Sequence, residues 1–275
     1  MNHTDKLELH RRYGGYALVT GGARGIGRAF AEELATAGFD IVLVDREIQD
    51  GNALANELRV KHGVDAQLIA CDLAKADLAA EAAQWAARYD IGVLVCNAGI
   101  SPIGGFFEIP LDTHLETLDV NARATLTLTH VIGSTMVERG RGAIVVVSSA
   151  SAISGAPYSA NYAATKGYGL NLATSIWAEL RGTPIDVLAV CPGLTNTTPV
   201  KERGLDQTVP FVVPLHGPER VARGALRAIG RQPMIIPTLA DRLSSALMAR
   251  GLPRSWSLSL VRRSMEQLQG RKNRK

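Results

Sequence analysis

The 275-residue chain has no apolar run approaching the ~20 residues that a membrane-crossing helix requires. Its opening, MNHTDKLELHRR, is polar and lacks the apolar core of a secretory signal, so the expected compartment is the cytoplasm. Cysteine is scarce: Cys71, Cys96 and Cys191 make an odd number with no zinc-ligand spacing. This argues against a disulfide framework and leaves three small buried hydrophobes in a reducing compartment. The six histidines form no ligand cluster. His114 and His130 fall on a predicted long helix and read as surface or interface residues, so no metal is expected. Linkers, low-complexity segments and internal repeats are also missing. What remains, 46% hydrophobic and 20% charged residues, is the composition of one large α/β domain with a substantial core.

Short apolar runs recur at 16–20, 41–45, 66–70, 91–96, 143–148, 185–191 and 234–236. Most are continuously apolar, as strands buried on both faces are. Helical patterns alternate with them at 25–37, 51–62, 76–88, 111–139, 160–181 and 218–229. Alternating β and α predicts a doubly wound, Rossmann-type parallel sheet of about seven strands with helices on both faces. In such a sheet the ligand lies beyond the carboxyl ends of the strands.

The first strand runs into Gly21, Gly25 and Gly27, then into an alanine-rich helix with Phe30 and Leu34 on one face and Gly38 as its stop. Glycines there let the backbone turn tightly and approach a pyrophosphate, and the helix N-terminus offers free N–H groups to it. The spacing is G-x-x-x-G-x-G rather than the commoner G-x-G-x-x-G. An acid, Asp45, closes the next strand 18 residues after Gly27.

A second constellation is Ser149, Tyr162 and Lys166. The tyrosine and lysine, at i and i+4, project from one helix face. An ammonium beside a phenol favours the phenolate, and a nearby serine hydroxyl can hold a carbonyl oxygen. That equipment can move a proton on or off an alcohol oxygen.

With TGGARGIG (20–27), CDL (71–73), NAG (97–99), VN (120–121), the serine-to-lysine stretch 148–166 and PGLTNT (192–197) in this order, residues 13–240 resemble the short-chain dehydrogenase/reductase family. The opening RYGGYALVTGGARGIG also resembles a subgroup that includes 3-ketoacyl and 17β-hydroxysteroid reductases. The resemblance implies an NAD(P)-dependent oxidoreductase that interconverts a secondary alcohol and its ketone. Tyr162 is then the acid/base and Lys166 binds ribose hydroxyls. Ser149 orients the carbonyl, and Asn121 holds water in a proton relay through Lys166. The cofactor is implied to contact Gly21, Arg24, Gly25, Ile26, Gly27, Asp45, Arg46, Asp72, Leu73, Asn97, Ala98, Gly99, Tyr162, Lys166, Pro192, Gly193, Leu194, Thr195 and Thr197. Asp45 can accept hydrogen bonds from ribose hydroxyls and would repel a 2′-phosphate, which favours NAD. Arg24 and Arg46 argue for NADP as the alternative. Asp72 addresses the adenine edge, or else caps the following helix. Cys96 stands where the family usually has a further asparagine.

Substrate choice is assigned to residues 100–107, 150–159 and the loop 198–215, whose Phe211, Val212 and Val213 among three prolines suggest an apolar wall and a lid. A hydrophobic alcohol or ketone is expected: a hydroxysteroid, a terpenoid or a 3-oxoacyl chain. The last 35 residues, 241–275, form a separate basic, amphipathic extension with nine Lys/Arg against two Asp/Glu. Its charge of +7, against +4 for the whole chain, leaves the other residues at −3. Packing on protein is favoured for 241–265 over peripheral contact with an anionic membrane. Nucleic acid is not an expected partner. By resemblance, the helices 111–139 and 160–181 would build a homodimer or homotetramer. The reading from another class is a non-catalytic dinucleotide-binding sensor or scaffold of the same fold, which an intact Asn121, Ser149, Tyr162 and Lys166 argues against.

Overall fold

The structure, a computed structural model, describes residues 3–75, 77–197 and 215–272. The candidate lid at 198–215 lies outside them except for Leu215. Seven strands form one parallel sheet: β1 (Tyr16–Thr20), β2 (Asp40–Asp45), β3 (Ala66–Ala70), β4 (Ile91–Cys96), β5 (Gly142–Val147), β6 (Ile185–Val190) and β7 (Met234–Ile235). Their order is 3-2-1-4-5-6-7. The chain reverses its direction of travel between β1 and β4, which opens a crevice at the carboxyl edge there.

Alternate side chains along each strand feed two cores. On one face Phe30 and Leu34 of α2 (Gly25–Thr36) and Leu54 and Leu58 of α3 (Ile48–His62) pack with Val19, Val93 and Val145. Val221 and Leu226 of the helix Pro218–Ala228 complete that layer. On the other, Leu78 and Trp85 of α4 (Leu78–Arg88) pack with Leu18, Leu94 and Ile144. A helix α1 (His3–Tyr13) precedes the sheet where no element was expected. It docks through buried Leu9 and Tyr13, the Tyr13 hydroxyl donating to Asp186 Oδ2 at 2.5 Å.

The stretch 111–139, expected as one helix, is α5 (Leu111–Leu118), a π turn (Asp119–Arg123) and α6 (Ala124–Arg139). His114 is a correction. It is 8% exposed, its Nε2 pairs with the Phe106 carbonyl at 3.0 Å and its ring stacks on Phe106, so it belongs to the interior; His130 is exposed. A four-residue helix α7 (Ser151–Ser154) precedes α8 (Ala160–Glu179). The carboxyl-terminal extension is helical: Leu239–Ala246, a π turn Leu247–Gly251, and Arg254–Lys272. Among the described residues, no helix is long and apolar enough to cross a membrane.

Gly92 marks where the sheet tolerates no side chain. β1 skips it in pairing with β4, and a Cβ there would lie 2.0 Å from the Gly14 carbonyl oxygen. Gly92→Ala is therefore expected to cost about 2–3 kcal/mol. In contrast, Gly167 in α8 has room, its added Cβ meeting only the Ala152 carbonyl at 3.8 Å. Gly167→Ala should gain about 0.5–1 kcal/mol from helix propensity alone. Urea unfolding of both variants measures the opposite signs.

Candidate active site

The carboxyl edge over β1, β4 and β5 carries a cleft of about 710 Å³. Its floor begins with the glycine turn. Gly21 and Gly25 have φ of +61° and +57°, values that a side chain strains. At Gly27 a Cβ would sit 2.0 Å from the Gly21 carbonyl, so the first turn of α2 closes directly on the strand end. α2 has no side-chain cap and no acid in its first turn, so its N–H groups and positive end face the cleft unneutralised.

Asp45 braces this turn. Its Oδ2 accepts from Ala23 N at 2.9 Å and its Oδ1 from Glu47 N at 3.1 Å. Arg24 pairs with Asp50 and, at 3.6 Å, with Glu47, while Arg46 lies 3.8 Å from Glu116. These side chains are about half exposed, and such pairs contribute at most ~1 kcal/mol. A ligand phosphate could therefore displace the carboxylates, but Asp45 would remain beside it. Asp72 Oδ1 accepts from Ala74 N at 3.0 Å, so its carboxylate closes a turn ahead of α4, whose own N-cap is Asp77.

Thr20 and Asn97 tie the turn to the end of β4. Asn97 Nδ2 donates to the Thr20 and Gly21 carbonyls, and Thr20 Oγ1 accepts from Asn97 N and Ala98 N. Sequence reasoning missed the role of Thr20, which has no distinctive spacing. Across the cleft, Pro192, Gly193 and Leu194 line the wall; Thr195 Oγ1 donates to the Gly193 carbonyl, and the Thr197 methyl stands against Gly25.

At the inner end, Lys166 Nζ is buried and donates to the Val147 carbonyl at 2.8 Å. In return, Ser148 Oγ donates to the Lys166 carbonyl at 2.7 Å. Ser148 is thus turned into the structure, while Ser149 Oγ accepts from Ser151 N and Oγ on the cleft side. Tyr162 lies one helical turn from Lys166, whose Nζ stands 5.8 Å from its ring centre. Gly99 passes beneath: a Cβ there would meet Lys166 Nζ at 3.1 Å and Asn121 Oδ1 at 3.3 Å.

Asn121 sits in the π turn, 2% exposed, and does not itself line the cleft. Its side chain pairs with both backbone groups of Ile100 and donates to Thr165 Oγ1. The extra residue in the helix disturbs the normal ladder, and the Thr125 hydroxyl donates to the Asn121 carbonyl at 2.8 Å. Of the other residues named from the sequence, Gly27 packs behind the turn and the rest border the same cleft.

Burial lowers the Lys166 pKa from 10.5 to about 8. It pushes the thiols of Cys96 and Cys191 up to about 12 and about 11, so both stay protonated. No group of metal-ligating side chains occurs among the described residues. The cradle fits a dinucleotide: glycine backbone and an uncapped helix N-terminus for the pyrophosphate, a carboxylate beside it, and an ammonium and a phenol at the far end.

Similarity extends over most of the chain. A sequence profile described as short chain dehydrogenase matches residues 15–208. The chain is 33% identical over 265 residues to a very-long-chain 3-oxoacyl-CoA reductase-like protein of Arabidopsis thaliana, covering 93% of this chain and 84% of that one. It is 29% identical over 191 residues to a 7beta-hydroxysteroid dehydrogenase of Collinsella aerofaciens, covering 70% and 73%. A solved short-chain dehydrogenase from Sphingobium yanoikuyae, in complex with NADPH, aligns with a TM-score of 0.75 at 31% identity over 86% of this chain and 93% of that one.

Without a cofactor the buried ammonium is a cost. Between about pH 8 and 10.5 the unfolded chain holds a proton on Lys166 that the folded chain releases, so stability rises with pH across that window; below it the full cost is present. Lys166→Met should therefore stabilise the cofactor-free protein at neutral pH by on the order of 2 kcal/mol, after allowing for the lost bond to Val147. The gain should shrink as pH rises towards 10.5. Thermal unfolding of wild type and variant across this range checks the sign.

Proposed function

The chain belongs to the short-chain dehydrogenase family of oxidoreductases, and from that premise we propose that it interconverts a hydrophobic secondary alcohol and its ketone, with Tyr162 as acid/base and NAD as the preferred dinucleotide. The observation that carries the reading is the convergence of Ser149, Tyr162 and Lys166 at one end of a cleft whose other end is the glycine turn.

When bound, the dinucleotide gives or takes a hydride at C4 of its nicotinamide. Everything else is the work of this chain. The N–H groups at the start of α2 hold the pyrophosphate. Asp45 accepts from the ribose hydroxyls, Asp72 and Leu73 border the adenine, and Asn97–Gly99 let the backbone pass close by. Pro192 to Leu194, with Thr195 and Thr197, form the nicotinamide side.

In the reducing direction Ser149 donates to the ketone oxygen and Tyr162 delivers the proton. Ser149 suits this, because its oxygen accepts both bonds from Ser151 and its own hydrogen is left to donate. Lys166, as an ammonium, stabilises the phenolate that remains and binds the ribose hydroxyls. Its place one turn from Tyr162 supports this role. Asn121 pairs with both backbone groups of Ile100, next to Gly99 and the ammonium, and its role with the relay water is carried over from the family resemblance.

NAD is favoured because Asp45, Glu47 and Asp50 crowd the place where a 2′-phosphate would enter, and Arg24 already faces two of them. A like-charge contact at ~4 Å costs a few kcal/mol at intermediate dielectric. A homodimer or homotetramer is supported by exposed Leu111, Leu115, Leu118 and Leu126 on α5 and α6, with Tyr168 on α8.

Two measurements test this. Tyr162→Phe should lower kcat for ketone reduction by roughly 10²–10⁴-fold while the dinucleotide Kd stays within about twofold; substantial residual turnover would remove the assignment. Titration of tryptophan emission should give a Kd for NADH roughly tenfold below that for NADPH, equivalent to about 1.4 kcal/mol. The reverse order would mean that Arg24 and Arg46 prevail over Asp45.

A further inference from the structure

The carboxyl-terminal extension reaches the cleft. Its first helix is fixed by a cap: Asp241 N donates to Thr238 Oγ1, and the Thr238 hydroxyl lies 2.7 Å from Asp241 Oδ2. Asp241 is 2% exposed and fills the space over Gly193, where an added Cβ would lie 2.1 Å from its Oδ1. The extension thus starts on the wall that carries Pro192 and Gly193.

Its last helix, Arg254–Lys272, crosses to the opposite side. Ser257 is buried, Leu258 Cδ2 lies 3.3 Å from the Cβ position of Gly155, and Tyr158 Oη donates to Glu266 Oε1 at 2.8 Å. Met265 lines the cleft together with Ser149, Ser151, Ala156 and Tyr162. Gly155 and Tyr158 belong to the short segment that joins Ser149 to Tyr162. A helix resting on that segment stands over the reacting end of the cleft.

Two further observations mark the contact as built. Tyr158, with φ +64°, is the one non-glycine residue in the left-handed region among the described residues. Such a backbone persists where its surroundings fix it, and here its carbonyl accepts from Gly104 N while its hydroxyl binds the helix. Glu266 is the only carboxylate in the chain beyond Asp241, and it lies between Tyr158 and Arg262.

We propose that Arg254–Lys272 forms the outer wall of the substrate site, with Met265 setting the bulk of ketone or alcohol admitted and the Tyr158–Glu266 hydrogen bond fixing the wall in place. The proposal rests on the oxidoreductase reading above. Methionine suits such a position, being apolar, unbranched and able to conform to rings or chains. The ligand class it fits is a hydrophobic ketone or alcohol extended beyond its reacting carbon.

The test is kinetic and structural. Wild type, Met265→Ala and Met265→Trp are assayed with NADH and NADPH against cyclohexanone, a decalone, a steroid ketone and a 3-oxoacyl thioester. Met265→Ala should raise kcat/KM for the bulkiest accepted ketone relative to the smallest by roughly tenfold, mostly through KM, and Met265→Trp should lower that ratio. The dinucleotide Kd should not move. An unchanged ratio in both variants overturns the proposal.

Hydrogen–deuterium exchange of residues 149–162 supplies a readout without turnover. Glu266→Ala and Tyr158→Phe should speed exchange there, and Glu266→Gln, which can still accept the hydroxyl, should restore protection. Equal exchange in all of them overturns the fixed wall. A wild type that binds dinucleotide but reduces none of the ketones counts against the oxidoreductase reading, and the exchange experiment then still decides whether the wall stands.

Discussion

Two reciprocal hydrogen bonds join α8 to the end of β5, and the geometry of the cleft depends on them. Lys166 Nζ donates to the Val147 carbonyl and Ser148 Oγ donates to the Lys166 carbonyl. A buried ammonium needs a partner, because an unsatisfied charge in the interior costs several kcal/mol. The same bonds set the depth of the helix against the sheet. With that depth fixed, Ser149, the next residue, presents its hydroxyl on the cleft side and Tyr162 stands one turn before Lys166. Removing either bond would loosen the register at this end of α8, while the apolar packing of Leu170, Ala173 and Ile176 still holds the helix on the sheet.

A second tie works the same way at the other end. Asn97 donates through its backbone N–H to Thr20 Oγ1 and through its side-chain amide to the Thr20 carbonyl, tying the end of β4 to that of β1, where the sheet order reverses. The crevice is held by short side-chain-to-backbone bonds, so its shape does not rely on long flexible side chains. The polar network is shared by strands that are far apart in sequence, and its members are mostly ordinary residues.

That explains what could be read from the chain. Buried parallel strands are written as apolar runs, so all seven were legible, with most ends coinciding and the rest off by one residue. In a sheet of this type the crevice lies beyond the carboxyl ends of the strands, and the spacing from Ser149 to Tyr162 to Lys166 picks out residues that the end of β5 and the start of α8 bring to that one cleft. α1 was not legible because few of its side chains, Leu9 and Tyr13 among them, reach the core through an otherwise polar sequence. The π turn adds one residue to a helix and leaves no mark in composition. His114 looked like a surface residue until the fold brought the Phe106 carbonyl to its ring. The place of Met265 and Glu266 over the cleft depends on contacts more than a hundred residues apart, which no local pattern encodes.

Asp45 carries a consequence for how such a site can change. Its two oxygens accept the N–H groups of Ala23 and Glu47, so the carboxylate is part of the turn as well as part of the lining. Exchanging it for a basic or apolar residue would remove both backbone bonds along with one negative charge. A change of charge at this position therefore cannot be made alone. The charge has to be removed together with a replacement for the bracing, for instance a side chain that still accepts from Ala23, or the order of the loop is lost with it.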